Sequence, residues 1–91
     1  VELQPDNASY LDTYGWILYL LGDYSNSKRF IMEAISKGGG SDPDILEHYG
    51  DVLFKTGSVD TAIIYWEKAL KSNPSSVRLQ MKIQQKSVNP N

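Results

Sequence analysis

The chain reads as an all-α stack of two antiparallel helix pairs closed by a C-terminal capping helix, and three observations predict it. First, it repeats itself: displaced by 35 residues, YGWILYLLGDYSNSKRFIMEAI falls on YGDVLFKTGSVDTAIIYWEKAL without a gap. Gly15 then meets Gly50, Gly22 meets Gly57, Ala34 meets Ala69, Tyr14 meets Tyr49 and Leu18 meets Leu53. Second, apolar residues recur at helical spacing, and no segment alternates with period two over a useful length. Third, glycines, prolines and short polar side chains stand where such helices must start and stop.

Each element follows from that punctuation. Asn7 suits a helix cap, although Asn7-Ala8-Ser9 also fits an N-glycosylation sequon. Leu11, Tyr14, Leu18 and Leu21 form the expected buried stripe of the first helix. Gly22-Asp23 ends it, glycine suiting a positive φ and Asp23 capping the next helix. Phe30, Ile31, Ala34 and Ile35 carry the second stripe as far as Gly38-Gly39-Gly40, which reads as a flexible connection. Asp42-Pro43 starts the second unit, with a cap followed by proline at the first helical position. Leu46, Tyr49 and Leu53 line its first helix, Gly57-Ser58 makes its turn, and Ile63, Trp66, Ala69 and Leu70 line its second. Asn73-Pro74 closes that helix, because proline disfavours helical geometry in the residue before it. Ser75-Ser76 can then cap a more polar helix from about Val77 to Gln85.

Composition narrows the function. Ninety-one residues, 41% hydrophobic and 22% charged, make one small globular domain. There is no apolar run near 18 residues and no signal-peptide pattern. The chain opens at Val1 rather than Met and so reads as an excerpt of something longer. No cysteine is present, which removes disulfides and thiol chemistry, and the single histidine, His48, excludes a His-rich metal cage. A net charge of −2 offers no general attraction to nucleic acid or anionic lipid.

Glycine inside a helix costs about 1 kcal/mol relative to alanine. Gly15 and Gly50 therefore read as thin positions where a neighbouring helix passes closely, and Ala34 and Ala69 read likewise.

These residues resemble the tetratricopeptide repeat, whose pattern is W-x2-L-G-x2-Y, then A-x3-F, then A and P. The second unit fits with Tyr49-Gly50, Leu53, Gly57, Ala62, Trp66, Ala69 and Pro74, Leu46 standing where the family often has tryptophan. The first unit is looser. Gly15, Gly22, Tyr24 and Ala34 agree, while Ser27 replaces alanine, Ile31 the aromatic and Gly39 the proline. The resemblance implies one domain over 1–91: the tail of a preceding repeat (1–7, with Pro5 in its closing place), repeats over 8–42 and 43–76, and a capping helix and tail over 77–91. LDTYGWILYLLGDY and DPDILEHYGDVLFKTG are also similar to the final repeat pair of long bacterial members. Many of those belong to Gram-negative envelopes, which tilts localisation toward the periplasm or cell envelope.

The resemblance further implies a concave groove lined by the first helices, where peptides or partner helices bind. By position its residues are Asp12, Trp16, Tyr19, Glu47, Asp51 and Phe54. At about 100° per residue these lie roughly 80–140° from the Leu11/Leu46 stripe. Trp16 is either an aromatic anchor for a partner or a cover for a neighbouring helix. Glu47 and Asp51 are like charges at i, i+4, which is unfavourable in an isolated helix. Members of the family that hold a terminal carboxylate use lysine, arginine and asparagine here, so these acids argue for a basic or aromatic-basic peptide, or else for a bare solvated face.

Charge also divides along the chain. Residues 1–51 hold nine acids and three bases, whereas 52–91 hold two acids and six bases. Arg78, Lys82 and Lys86 either suit the dipole of the last helix or steer an acidic partner. No nucleophile with a paired base, phosphate loop or oxyanion hole is legible, so the chain reads as no enzyme and needs no cofactor. The side chains of His48 and Glu47 diverge as helix neighbours. Two functions follow: a peptide-binding adaptor, or a terminal cap that stabilises and oligomerises a longer scaffold. In the second, apolar surface around Leu11, Tyr14 and Leu18 is uncovered and a homodimer forms through that N-terminal face. No direct contact with nucleic acid and no membrane insertion are expected.

Overall fold

Asn7, Asp23, Asp42 and Ser76 each cap a helix through the side chain, accepting from the backbone N–H of Tyr10, Asn26, Asp44 and Leu79. The computed structural model describes residues 7–88. The helices are α1 (Ala8–Leu20), α2 (Tyr24–Ser36), α3 (Pro43–Lys55), α4 (Val59–Ser72) and α5 (Val77–Gln85). No strand occurs among the described residues, and the helices form antiparallel pairs. α1 packs chiefly on α2 and α3 on α4, with α2 bridging to α3 and α4 to α5. Of the preceding-repeat tail read over 1–7, residues 1–6, Pro5 included, lie outside the described residues and Asn7 caps α1; of the capping helix and tail over 77–91, residues 89–91 lie outside them.

The two hairpin turns are built alike. Gly22 (φ +85°) and Gly57 (φ +93°) are left-handed. The N–H of Gly22 donates to the carbonyl of Tyr19 and that of Asp23 to Leu18; the N–H of Gly57 donates to Phe54 and that of Ser58 to Leu53. This pattern satisfies carbonyls that the helix end would otherwise leave open. Gly38-Gly39-Gly40 is more than a loose link. Gly39–Ser41 form a 3-10 turn, with Gly39 buried and a Cβ there 2.8 Å from the Ala34 carbonyl oxygen and from Ile45 Cδ1. α4 ends at Ser72, with Asn73 as its cap and Pro74 exposed just beyond.

Both pairs cross at glycine. A Cβ on Gly15 would lie 2.6 Å from Ile31 Cγ1 and 3.2 Å from the Ser27 carbonyl oxygen. A Cβ on Gly50 would lie 2.5 Å from Cδ1 and Nε1 of Trp66 and 3.1 Å from the Ala62 carbonyl oxygen. The facing residues Ile31, Ala62 and Trp66 are fully buried, as are Ala34 and Ala69. Ser27, in the place of Ala62, is equally buried and donates its hydroxyl to the carbonyl of Gly15 at 2.7 Å.

The expected stripe of α1 needs correction. Leu11 is 2% exposed and belongs to the core, but Tyr14 is 38% and Leu21 75% exposed. The uncovered surface is Tyr10, Tyr14, Ile17, Leu20 and Leu21 rather than the neighbourhood of Leu11 and Leu18. α1 is apolar almost all round, so spacing alone could not choose which side turns inward. No helix among the described residues is long and apolar enough to cross a membrane.

Candidate functional site

α1, α3 and α5 bring their side chains together at a cleft of about 220 Å³ lined by Trp16, Asp44, Glu47, His48, Asp51, Arg78 and Lys82. Where α1 meets α3, Nδ1 of His48 lies 2.9 and 3.0 Å from the two oxygens of Asp12, which is 8% exposed. The Trp16 ring stacks on His48 (centroids 4.1 Å, planes 18° apart) and on Tyr19 (4.4 Å, 8°). Tyr19 in turn meets Tyr24 edge-on at 5.3 Å. The Tyr19 hydroxyl is pushed up to about 12 by burial, with the Asp51 and Tyr24 charges adding to it.

Where α3 meets α5, Lys82 is 6% exposed and its ammonium lies 2.6 Å from Glu47 Oε2 and 3.0 and 3.1 Å from the oxygens of Asp51. Arg78 closes on Glu47 from outside as a two-point fork, Nε and Nη2 each 2.7 Å from a carboxylate oxygen. Trp66 Nε1 donates to Asp51 Oδ1 at 3.0 Å. Buried charges need such partners, and no buried side-chain polar atom among the described residues lacks one.

The two acids respond in opposite ways. Burial alone would raise Glu47, but the hydrogen bonds and charges of Arg78 and Lys82 outweigh it and hold the carboxyl below its ordinary range. Burial dominates at Asp51 and raises it; Lys82 and the Trp66 N–H offset part of that, and the Glu47 charge adds to the rise.

Of the six groove residues read from the sequence, Asp12, Trp16, Glu47 and Asp51 come together here, with Tyr19 stacked beside them. Phe54 does not reach the cleft. It is half-buried against the core, its ring 6.2 Å from Trp66. The expectation of a bare solvated acidic face is corrected, since Glu47 and Asp51 are each 4% exposed and share Lys82 between them. Lys82 thereby turns the i, i+4 repulsion into a bridged pair. Arg78 and Lys82 are both engaged by carboxylates of α3; Lys82 also stands in the last turn of α5, as the dipole account has it, whereas Arg78 stands in the first. Glu47 faces α5 while His48 faces α1, so these neighbours point to different joints. No group of three or more acid or histidine side chains among the described residues could hold a metal ion.

Sequence reasoning missed His48, Arg78, Lys82 and the Ser27 bond as structural partners. Of these, Lys82 could have been found by counting from the caps, since Ser76 follows Asp42 by 34 residues rather than 35 and Lys82 then takes the place of His48. Residues 8–36 and 43–76, the two helix pairs, match the family model for the tetratricopeptide repeat. No curated protein matches the chain at a significant level.

Proposed function

The chain belongs to the tetratricopeptide repeat family, whose repeats generally mediate protein–protein interaction, and on that premise we propose that it holds a basic peptide segment in the cleft between α1, α3 and α5. The supporting observation is the charge left after internal pairing. Asp12, Asp44, Glu47 and Asp51 stand against Arg78 and Lys82, a formal −2 with His48 neutral. Asp44 remains exposed at the rim, close enough to Arg78 for its charge to be felt there. A lysine or arginine side chain entering the cleft meets the exposed carboxylate of Asp44.

Calorimetric titration with an N-acetylated, C-amidated peptide of alternating lysine and tyrosine tests this. Binding that weakens with added salt, and weakens several-fold in Asp44→Lys, agrees with it. Equal binding of the glutamate-for-lysine peptide contradicts it.

A second reading, that the chain caps and oligomerises a longer scaffold, is favoured by comparing equivalent positions. Tyr10, Tyr14 and Ile17 are 42%, 38% and 48% exposed; Ile45, Tyr49 and Val52, one repeat on, are 3%, 7% and 0% exposed. The α1 face thus carries the apolar residues that α3 buries in the stack. Apart from Asp12, which pairs inward, α1 bears no charge to oppose a second copy. Sedimentation across a concentration series decides: rising mass supports this face as a self-contact, and a constant monomer mass refutes it.

A further inference from the structure

Counted from their caps, the joint of α1 with α3 and that of α3 with α5 are laid out alike. Asp12 and Trp16 are the fifth and ninth residues after Asn7; Glu47 and Asp51 are the fifth and ninth after Asp42. His48 is the sixth after Asp42, and Lys82 the sixth after Ser76. At the first joint the sixth-position base touches the fifth and ninth side chains of the preceding odd-numbered helix: His48 meets Asp12 at 2.9 Å and Trp16 at 4.1 Å. At the second, Lys82 meets Glu47 at 2.6 Å and Asp51 at 3.0 Å.

The chemistry is matched within each joint. A flat imidazole takes one carboxylate at its edge and lays its face on an indole. An ammonium, with three donors and no face, takes two carboxylates. We propose that this triad is the recognition unit by which one helix accepts the next in this chain, the fifth and ninth positions receiving and the sixth position of the incoming helix supplying the base. Lys82 is then the residue that admits α5 to α3, and the partner that surface fits is a helix with a base six residues after its cap.

The same count applies to the outer faces of α5 and α1. α5 carries Met81 and Gln85 at its receiving positions and so presents no carboxylate to a further basic helix. α1 carries Thr13 at the position of the incoming base, so it supplies no base to another helix by this count. Leu79, 1% exposed, anchors α5 by apolar contact in any case. The competing account is that Lys82 contributes only its aliphatic stem.

Hydrogen exchange on the 91-residue chain separates the two. Lys82→Met keeps the stem and removes the donors. The triad predicts at least a tenfold loss of protection for α5 amides with α1–α2 little changed; unchanged α5 protection overturns it. Should Lys82→Met fail to fold, Glu47→Gln still decides, because it leaves the Lys82 stem whole and removes a carboxylate from the joint: a tenfold loss of α5 protection with α1–α2 little changed is expected, and unchanged α5 protection contradicts the proposal.

Discussion

The indole N–H of Trp66 reaches from the centre of the core to the carboxylate of Asp51 at 3.0 Å, so the residue that fills the second helix pair also holds a wall of the cleft. This link exists because Gly50 lets α4 approach until the Trp66 ring lies where a Cβ would be. Trp66→Phe should therefore cost more than volume alone. It leaves a void and removes a donor from a buried acid, together roughly 2–4 kcal/mol. Urea denaturation of the variant and of Trp66→Phe/Asp51→Asn checks it: a smaller loss for Trp66→Phe in the Asp51→Asn background is expected, and equal losses speak against the link.

The glycine crossings predict an order. Alanine in a helix gains about 1 kcal/mol over glycine, while overpacking costs about 1–3 kcal/mol. At Gly50 the obstacle is a fully buried indole tied to Asp51 and cannot swing aside. At Gly15 it is Cγ1 of Ile31, a single aliphatic carbon with no polar tether. Gly50→Ala should lower the urea midpoint more than Gly15→Ala. A midpoint at or above wild type for Gly50→Ala would mean that the tight crossing does not constrain the fold.

The pH dependence carries opposite signs from the two bridged acids. Glu47 is depressed in the folded state, so its stabilisation is present above the ordinary carboxylate range and is lost as pH falls through its lowered folded value. Asp51 is raised, so its contribution is present below the ordinary range and is lost as pH rises through its folded value. Stability should therefore climb from neutral toward mild acid and fall again at lower pH. In melting curves against pH, Asp51→Asn should flatten the climb and Glu47→Gln should soften the acid fall. Identical effects of the two substitutions would show that the acids are not held differently.

Much of this architecture was legible because each helix end carries its own chemistry. Asp42-Pro43 could only begin a helix, Gly57-Ser58 could only turn one, and Ser76 before Val77 set the start of α5. The inward side of α1 was not legible, because large hydrophobic side chains stand on most sides of it, Tyr10, Tyr14, Ile17 and Leu21 as well as Leu11, and only packing against α2 and α3 chooses among them. The acids of the groove stood out for their repulsion, but their relief came from Lys82, 35 residues beyond Glu47. A local pattern of charges along one helix carries no trace of a partner that far along the chain.

The placement of the partner surface is most directly tested by nuclear magnetic resonance on the labelled chain as the capped lysine–tyrosine peptide is added. Resonances of Asp44, His48 and the Trp16 indole should move together and saturate, those of Tyr10, Ile17 and Leu21 staying in place. Movement confined to the exposed face of α1, with the cleft silent, would contradict the assignment.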